Sequence, residues 1–194
     1  MKKLLLILFC LPFIGCNPFD NSDELIKERK NQNNNSALAI GDTYQGGIIF
    51  WLDGNGGGLV AAPSDQSDNA RWGSSIGEFL GADGTAIGTG AQNTINIESG
   101  CTIHGTAADI CANLTLGGYS DWFLPSKDEL NEMYVNKAAI GGFVEKDEDR
   151  HPWYWSSSES KYVPGRAWLQ NFLTGNHGDW VEDNFVRVRA VRAF

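Results

Sequence analysis

The side chains with chemical reach in this chain fall into a few groups. His177, Asp179, Glu182 and Asp183 bring an imidazole and three carboxylates into one short run, the donor types of an ion site. Asp121, Asp128, Glu129 and Glu132 bring four carboxylates to another, and a glycosidase would need two of them as a placed pair. Trp153, Tyr154, Trp155 and Trp168 carry faces on which sugar rings could stack, and Ser156, Ser157, Ser158 and Glu159 beside them are polar contacts of the kind a sugar needs. Cys101 and Cys111 are the thiols available to the folded part of the chain.

Most of these groups also have a structural reading. His104, His151 and His177 are scattered among loop residues at no ligand spacing, so the sequence predicts no metal site and no cofactor. No serine sits in a Gly-x-Ser-x-Gly elbow, and no catalytic residue is assigned. Tryptophans at strand spacing are core residues first, with Trp153 and Trp180 the best placed for exposure. The serines read as a strand end with hydrogen-bonded hydroxyls. The binding set is therefore Trp153, Trp180, His177, Asp179 and Asp183, with the loops around residues 63–73, 145–153 and 174–184 as the place to look for a ligand. Asp53 and Asn55 alternate with glycines as calcium ligands do, but the acidic ligands that an EF-hand needs further on are missing, so this is a turn. Neither a lysine nor a helix start follows those glycines, which leaves a phosphate cradle without support.

The elements that must position these groups are organised around Gly117–Tyr134. Gly117, Gly118 and Asp121 supply turn chemistry, Trp122 to Leu124 form a short apolar strand, and Pro125 ends it. Ser126 is a helix N-cap, and with Glu129 three positions on it makes a capping box. Leu130, Met133 and Tyr134 give that helix an apolar face, and Gly141 or Gly142 suits its C-terminal end. Asp121, Trp122, Pro125, Ser126 and Glu129 are thereby scaffold. Upstream, Thr43–Asp53 and Leu59–Ala62 read as a β-hairpin, with short helices toward Ile97 and over Thr106–Leu114. Downstream, strands are expected at Trp153–Ser157, Ala167–Leu173 and Phe185–Phe194. In the last of these a plain alternation puts Arg192 on the same side as Val186, Val188 and Ala190. Either a bulge shifts the register or Arg192 is buried against a carboxylate, with Asp121 and Glu129 as candidates.

The amino terminus has a different logic. Met1-Lys2-Lys3, an apolar run from Leu4 to Ile14 and a small residue before Cys16 make a secretory signal too short to span a membrane comfortably. Phe13-Ile14-Gly15-Cys16 resembles the bacterial lipoprotein lipobox, with Phe13 in place of the usual leucine. The resemblance implies that Cys16 becomes a lipid-bearing first residue. Residues 1–15 are then signal peptide, 16–39 a lipidated cysteine and polar tether reaching on the order of 25 Å, and 40–194 one folded domain. The expected location is the cell envelope, at the outer membrane or cell surface. With 15 basic and 24 acidic residues the net charge is −9, and removing Lys2 and Lys3 leaves 13 basic residues against 24 acidic. That balance disfavours nucleic acid and other polyanions as partners. In an oxidising compartment a Cys101–Cys111 disulfide is expected, contributing about 2–3 kcal/mol by loop entropy.

Several motifs then occur in a fixed order: Gly46-Gly47-Ile48-Ile49-Phe50, Asn93-Thr94, Gly118 to Ser126, Glu129-Leu130, Tyr154 to Glu159, Ala167-Trp168 and Arg187 to Arg192. Together they resemble the bacterial domain family typified by the C-terminal domain of the collagen-like adhesin Lcl, over nearly all of residues 41–194. The resemblance implies a compact α+β domain of the C-type-lectin-like type, with antiparallel strands and two or three short helices. The typifying domain binds glycans, sulfated polysaccharides in particular, although the acidic charge here disfavours a polyanion. The Leu-Pro-Ser-x-x-Glu-Leu segment is also similar to one in formylglycine-generating enzymes. Their chemistry needs a late cysteine pair, and no cysteine follows Cys111, so that activity is not implied. The calcium-dependent signatures of sugar-binding C-type lectins are absent too. The function expected is a non-enzymatic binding or adhesion module for a glycan or another envelope protein. The alternatives are a carbohydrate-active envelope enzyme and a structural assembly subunit.

Overall fold

Side-chain capture of the backbone starts two of the described helices and closes the first hairpin. The computed structural model describes residues 37–73, 77–144 and 152–194. The signal segment, Cys16, nearly all of the tether and His151 lie outside them. Asp53 accepts from the N–H groups of Asn55 (2.6 Å) and Gly57 (2.9 Å), so its carboxylate closes the hairpin turn. The turn joins β2 (Gly47–Leu52) to β3 (Gly58–Ala61), and β1 (Thr43–Tyr44) pairs with the outer side of β2. After β4 (Ser67–Ala70) come four helices, α1 (Gly90–Gly100), α2 (Ala107–Ala112), α3 (Lys127–Val135) and α4 (Lys137–Ile140). The strands β5 (Trp153–Glu159), β6 (Arg166–Asn171), β7 (His177–Val181), β8 (Val186–Val188) and β9 (Val191–Ala193) complete the chain.

The strands form two sheets, β1-β2-β3-β9 and β4-β8-β5-β6-β7, antiparallel throughout except for the β5–β8 pair. This is an α+β architecture, and Leu38–Phe194 forms a compact unit. The expected single strand at the carboxyl end is in fact two. The chain leaves the second sheet after Val188 and enters the first at Val191, which removes the simple alternation. Arg192 is nevertheless buried, and its Nε donates to Asp121, with Nη1 on Gln45 at 2.6 Å and the guanidinium 3.9 Å from the Tyr119 ring centre. Of the two expected partners the structure uses Asp121, whose carboxyl that hydrogen bond holds below the usual range.

Trp122–Leu124 is buried but is not a full strand. Phe123 exchanges both backbone hydrogen bonds with Val191 as a single bridge beside β9. The Thr94 hydroxyl, 30 positions earlier in the chain, takes the Leu124 N–H at 3.1 Å in place of a neighbouring strand. Helix α3 carries the complete capping box. It ends earlier than its apolar pattern suggests, at Val135, and the short α4 follows before Gly141 and Gly142 turn the chain at positive φ. Asn136 accounts for the break, since its side-chain amide donates to the Phe50 and Glu132 carbonyls.

The core is aromatic, and its largest indoles have their N–H groups matched. Trp72 and Trp155 are fully buried with their indole N–H groups on the Ser156 and Ala70 carbonyls, at 2.7 and 3.0 Å. Each large apolar side chain buried in this way contributes roughly 1.5–3 kcal/mol. The expected disulfide is not formed. Cys101 and Cys111 are free, buried thiols. Cys101 Sγ turns back to its own loop, 3.4 Å from the Ile103 N–H, while Cys111 is packed in the core, where burial pushes its thiol well above the ordinary range.

Candidate functional site

A pocket of about 130 Å³ opens where the end of β5, the loop after it and the outer face of β6 meet the segment before α1. It is lined by Asp83, Thr85, Glu159, Lys161, Tyr162 and Trp168. Register explains the tryptophan. Trp168 stands opposite Asp179 in the β6–β7 ladder, and Gln170 stands opposite His177, so these four side chains share one face of the sheet. Lys127, the first residue of α3, reaches over that face and holds its ammonium 4.3 Å from the Trp168 ring centre. Tyr162 is 79% exposed, with the Lys161 ammonium 5.2 Å from its ring.

The walls are fixed by buried polar side chains. Glu159 accepts from the backbone N–H groups of Leu80 (2.9 Å), Gly81 (2.8 Å) and Ala82 (3.1 Å), which ties the segment before Asp83 to the end of β5. Ser158 donates to the Gly84 carbonyl at 2.6 Å and accepts from the Lys127 N–H at 3.0 Å, and Ser156 donates to the Trp168 carbonyl at 2.9 Å. The serine run therefore builds the site without facing it. Glu129 does the same from further away. Beyond capping α3 it accepts from Gly88 N–H at 2.8 Å, and a Cβ on Gly90 would lie 2.2 Å from its Oε2, so only glycine fits where α1 begins. Burial raises the Glu129 carboxyl, opposed by the N–H groups it accepts from. Pro125 is buried and its carbonyl receives the Ser157 N–H at 2.7 Å.

The residues singled out from sequence are divided by this geometry. His177 and Asp179 lie on the Trp168 face. Burial, and the Lys127 charge after it, keep the His177 imidazole below its usual range, against the opposing pull of Asp128. Asp179 is paired with Arg166, at 3.3 Å. Trp153 and Trp180 belong to the opposite face, half-buried, with ring centres 5.3 Å apart. They stack on each other and on the core instead of on a ligand face. Asp183 pairs with Arg71 at 3.6 Å and does not line the pocket. Glu182 is 1% exposed with neither carboxylate oxygen hydrogen-bonded, so burial, reinforced by Glu159 and Asp183, pushes its carboxyl up to about 8. Among the described residues no three His, Cys, Asp or Glu side chains converge to hold a metal, and the sequence grouping of His177, Asp179, Glu182 and Asp183 does not persist in space.

Sequence reasoning missed Lys127, Lys161, Tyr162, Asp83 and Thr85. No spacing marks them, because they come together only through the β5–β6 connection and the loop before α1. It also missed Asp65, whose carboxylate receives Arg187 (3.0 Å), Arg189 (2.6 Å) and the Tyr154 hydroxyl (3.0 Å).

Residues 63–192, which include the whole of this pocket, match the model of the Lcl C-terminal domain. No curated protein matches the chain. Among the described residues no helix is long and apolar enough to cross a membrane.

Proposed function

The chain belongs to the Lcl C-terminal domain family, and on that footing we propose that it is a non-enzymatic binding module of the bacterial cell envelope that recognises a glycan through the pocket beside Trp168. The observation that carries this reading is the pairing of two aromatic rings, Trp168 and Tyr162, with a carboxylate, a hydroxyl and an ammonium from Asp83, Thr85 and Lys161 in one small cavity. A sugar presents an apolar ring face edged by hydroxyls, and such a lining meets both. The charges flanking Trp168 are mixed: Lys127, Lys161 and Arg166 stand among Asp83, Asp128 and Asp179. That mixture suits a neutral or amino sugar better than a polyanion.

Two carboxylates line the pocket, which is what favours the enzymatic alternative. Glu159 is engaged by three backbone N–H groups, however, and serves as a clamp on the wall. We read the fold as C-type-lectin-like and the attachment as acyl chains on Cys16, placing the domain at the outer membrane or cell surface. A glycan array probed with the purified protein tests the reading. Saturable binding without product supports it. Release of a shortened product, lost in Asp83→Asn, would establish the enzyme instead. The anchor has its own test: detergent partitioning of the wild-type protein should be lost in Cys16→Ala, and a wild type recovered unmodified in the aqueous phase would refute lipidation.

A further inference from the structure

A second concavity, larger than the first, lies elsewhere on the surface. It has a volume of about 550 Å³, in the range of clefts that take up ligands or side chains of a partner. Helix α1 lines it with Ile95 and Glu98, the end of α2 with Ala112 and Asn113, and the buried Trp122 and the exposed Asp121 complete the lining. Ile95 is 57% exposed, a large aliphatic side chain facing solvent beside an apolar lining. Among the described residues the two charged side chains that line the cleft, Glu98 and Asp121, are both carboxylates, and no lysine or arginine lines it.

The walls are held in place. The Trp122 indole N–H donates to the Leu116 carbonyl at 3.3 Å, Thr94 bonds both Gly90 O and Leu124 N–H, and Asp121 is pinned by Arg192. The Cys101 loop and the buried Cys111 fix the two helices on which the walls stand. A rigid, pre-formed cleft loses little entropy on binding.

We infer that this cleft docks an extended peptide segment of a partner protein, with a lysine or arginine set between aliphatic or aromatic side chains. Charge complementarity identifies the occupant. Asp121 is already paired with Arg192, so among the described residues the carboxylate left to receive a cationic head on an aliphatic stem is Glu98 on the wall of the trough, which disfavours an acidic segment. A sugar is disfavoured on separate grounds, because Trp122 and Phe123 are nearly closed to solvent and present no face for stacking. Backbone pairing does not contribute, since both polar groups of Phe123 are spent on Val191. Recognition is by side chains in the trough. Burial, with Asp109 adding to it, raises the Glu98 carboxyl while His104 opposes, so an arriving cation relieves an unfavourable charge environment. The site is independent of the Trp168 pocket.

Heptapeptides selected from a random displayed library against the full chain, then synthesised and titrated by fluorescence anisotropy, test the inference. The selected sequences are expected to place Arg or Lys beside Leu, Ile or Phe. Glu98→Gln should weaken their binding about tenfold, the scale of one hydrogen bond to a charged group. Ile95→Asp, at an exposed position that leaves the fold intact by circular dichroism, should weaken it further if the basic residue is replaced by norleucine, and Trp168→Ala should leave it unchanged. Failure to select any peptide, selection without a basic residue, or equal binding by wild type, Glu98→Gln and Ile95→Asp would each overturn it.

Discussion

Asp65 shows how much one residue can hold. It neutralises the fully buried Arg189, whose remaining N–H groups donate to the Ala62 and Gly142 carbonyls at 3.0 and 2.7 Å and whose guanidinium lies 4.3 Å from the Phe143 ring centre. Removing the carboxylate leaves a buried cation without its counter-charge, so Asp65→Ala is expected to cost about 3–5 kcal/mol in urea unfolding. Asp183→Ala, at a pair with side chains 45% and 50% exposed, should cost less than about 1 kcal/mol. Glu182 has the opposite character, a buried carboxyl without partners among the described residues. Its folded-state value of about 8 lies above that of the unfolded chain. As pH rises from the ordinary carboxylate range to about 8, the unfolded chain has lost a proton that the folded one retains, so stability falls across that window and levels off above it. Glu182→Gln should flatten that slope and leave the protein more stable than wild type at pH 8 in thermal melts. Neither residue was legible beforehand. The arginine partners of Asp65 lie more than a hundred positions along the chain, and nothing local distinguishes Glu182 from an exposed glutamate.

At the scale of elements the sequence was more readable, because caps and turns are made by neighbours. The Ser126–Glu129 box and the Asp53 turn both follow from residues within four positions of each other. What failed were boundaries that a distant element sets. Trp122–Leu124 is held to one bridge by Thr94, and the last strand is divided because its two halves join different sheets. Glu129 belongs to both categories, since its cap is local while its grip on Gly88 spans 41 positions. The two functions separate by mutation. Ser126→Ala removes the cap together with the hydroxyl's bond to the Ala86 carbonyl and should cost about 1–2 kcal/mol, whereas Glu129→Ala, which also frees the Gly88 N–H, should cost clearly more and should increase hydrogen exchange at Gly88 and the start of α1 beyond the serine variant. Equal costs with unchanged exchange would mean that the cap is its only contribution.

The whole molecule places an aromatic, mixed-charge pocket on one surface and an acidic, apolar trough on another, on a framework of two sheets joined by the crossing between β8 and β9. The family was legible from the order of its motifs, since most of those motifs prove to be scaffold: Asn93, Ser126, Glu129, Ser156 and Arg192 are buried and hydrogen-bonded. The candidate pocket was legible only in Glu159 and Trp168, because Asp83, Thr85, Lys161 and Tyr162 lie in connections that carry no such pattern. Isothermal titration of the best glycan from the array against wild type and Trp168→Ala is the most direct measurement of the central claim. The account predicts saturable binding by the wild type with the sugar recovered intact, and a loss of at least about 1 kcal/mol in Trp168→Ala at an unchanged melting temperature. Equal affinity in the two proteins would contradict it.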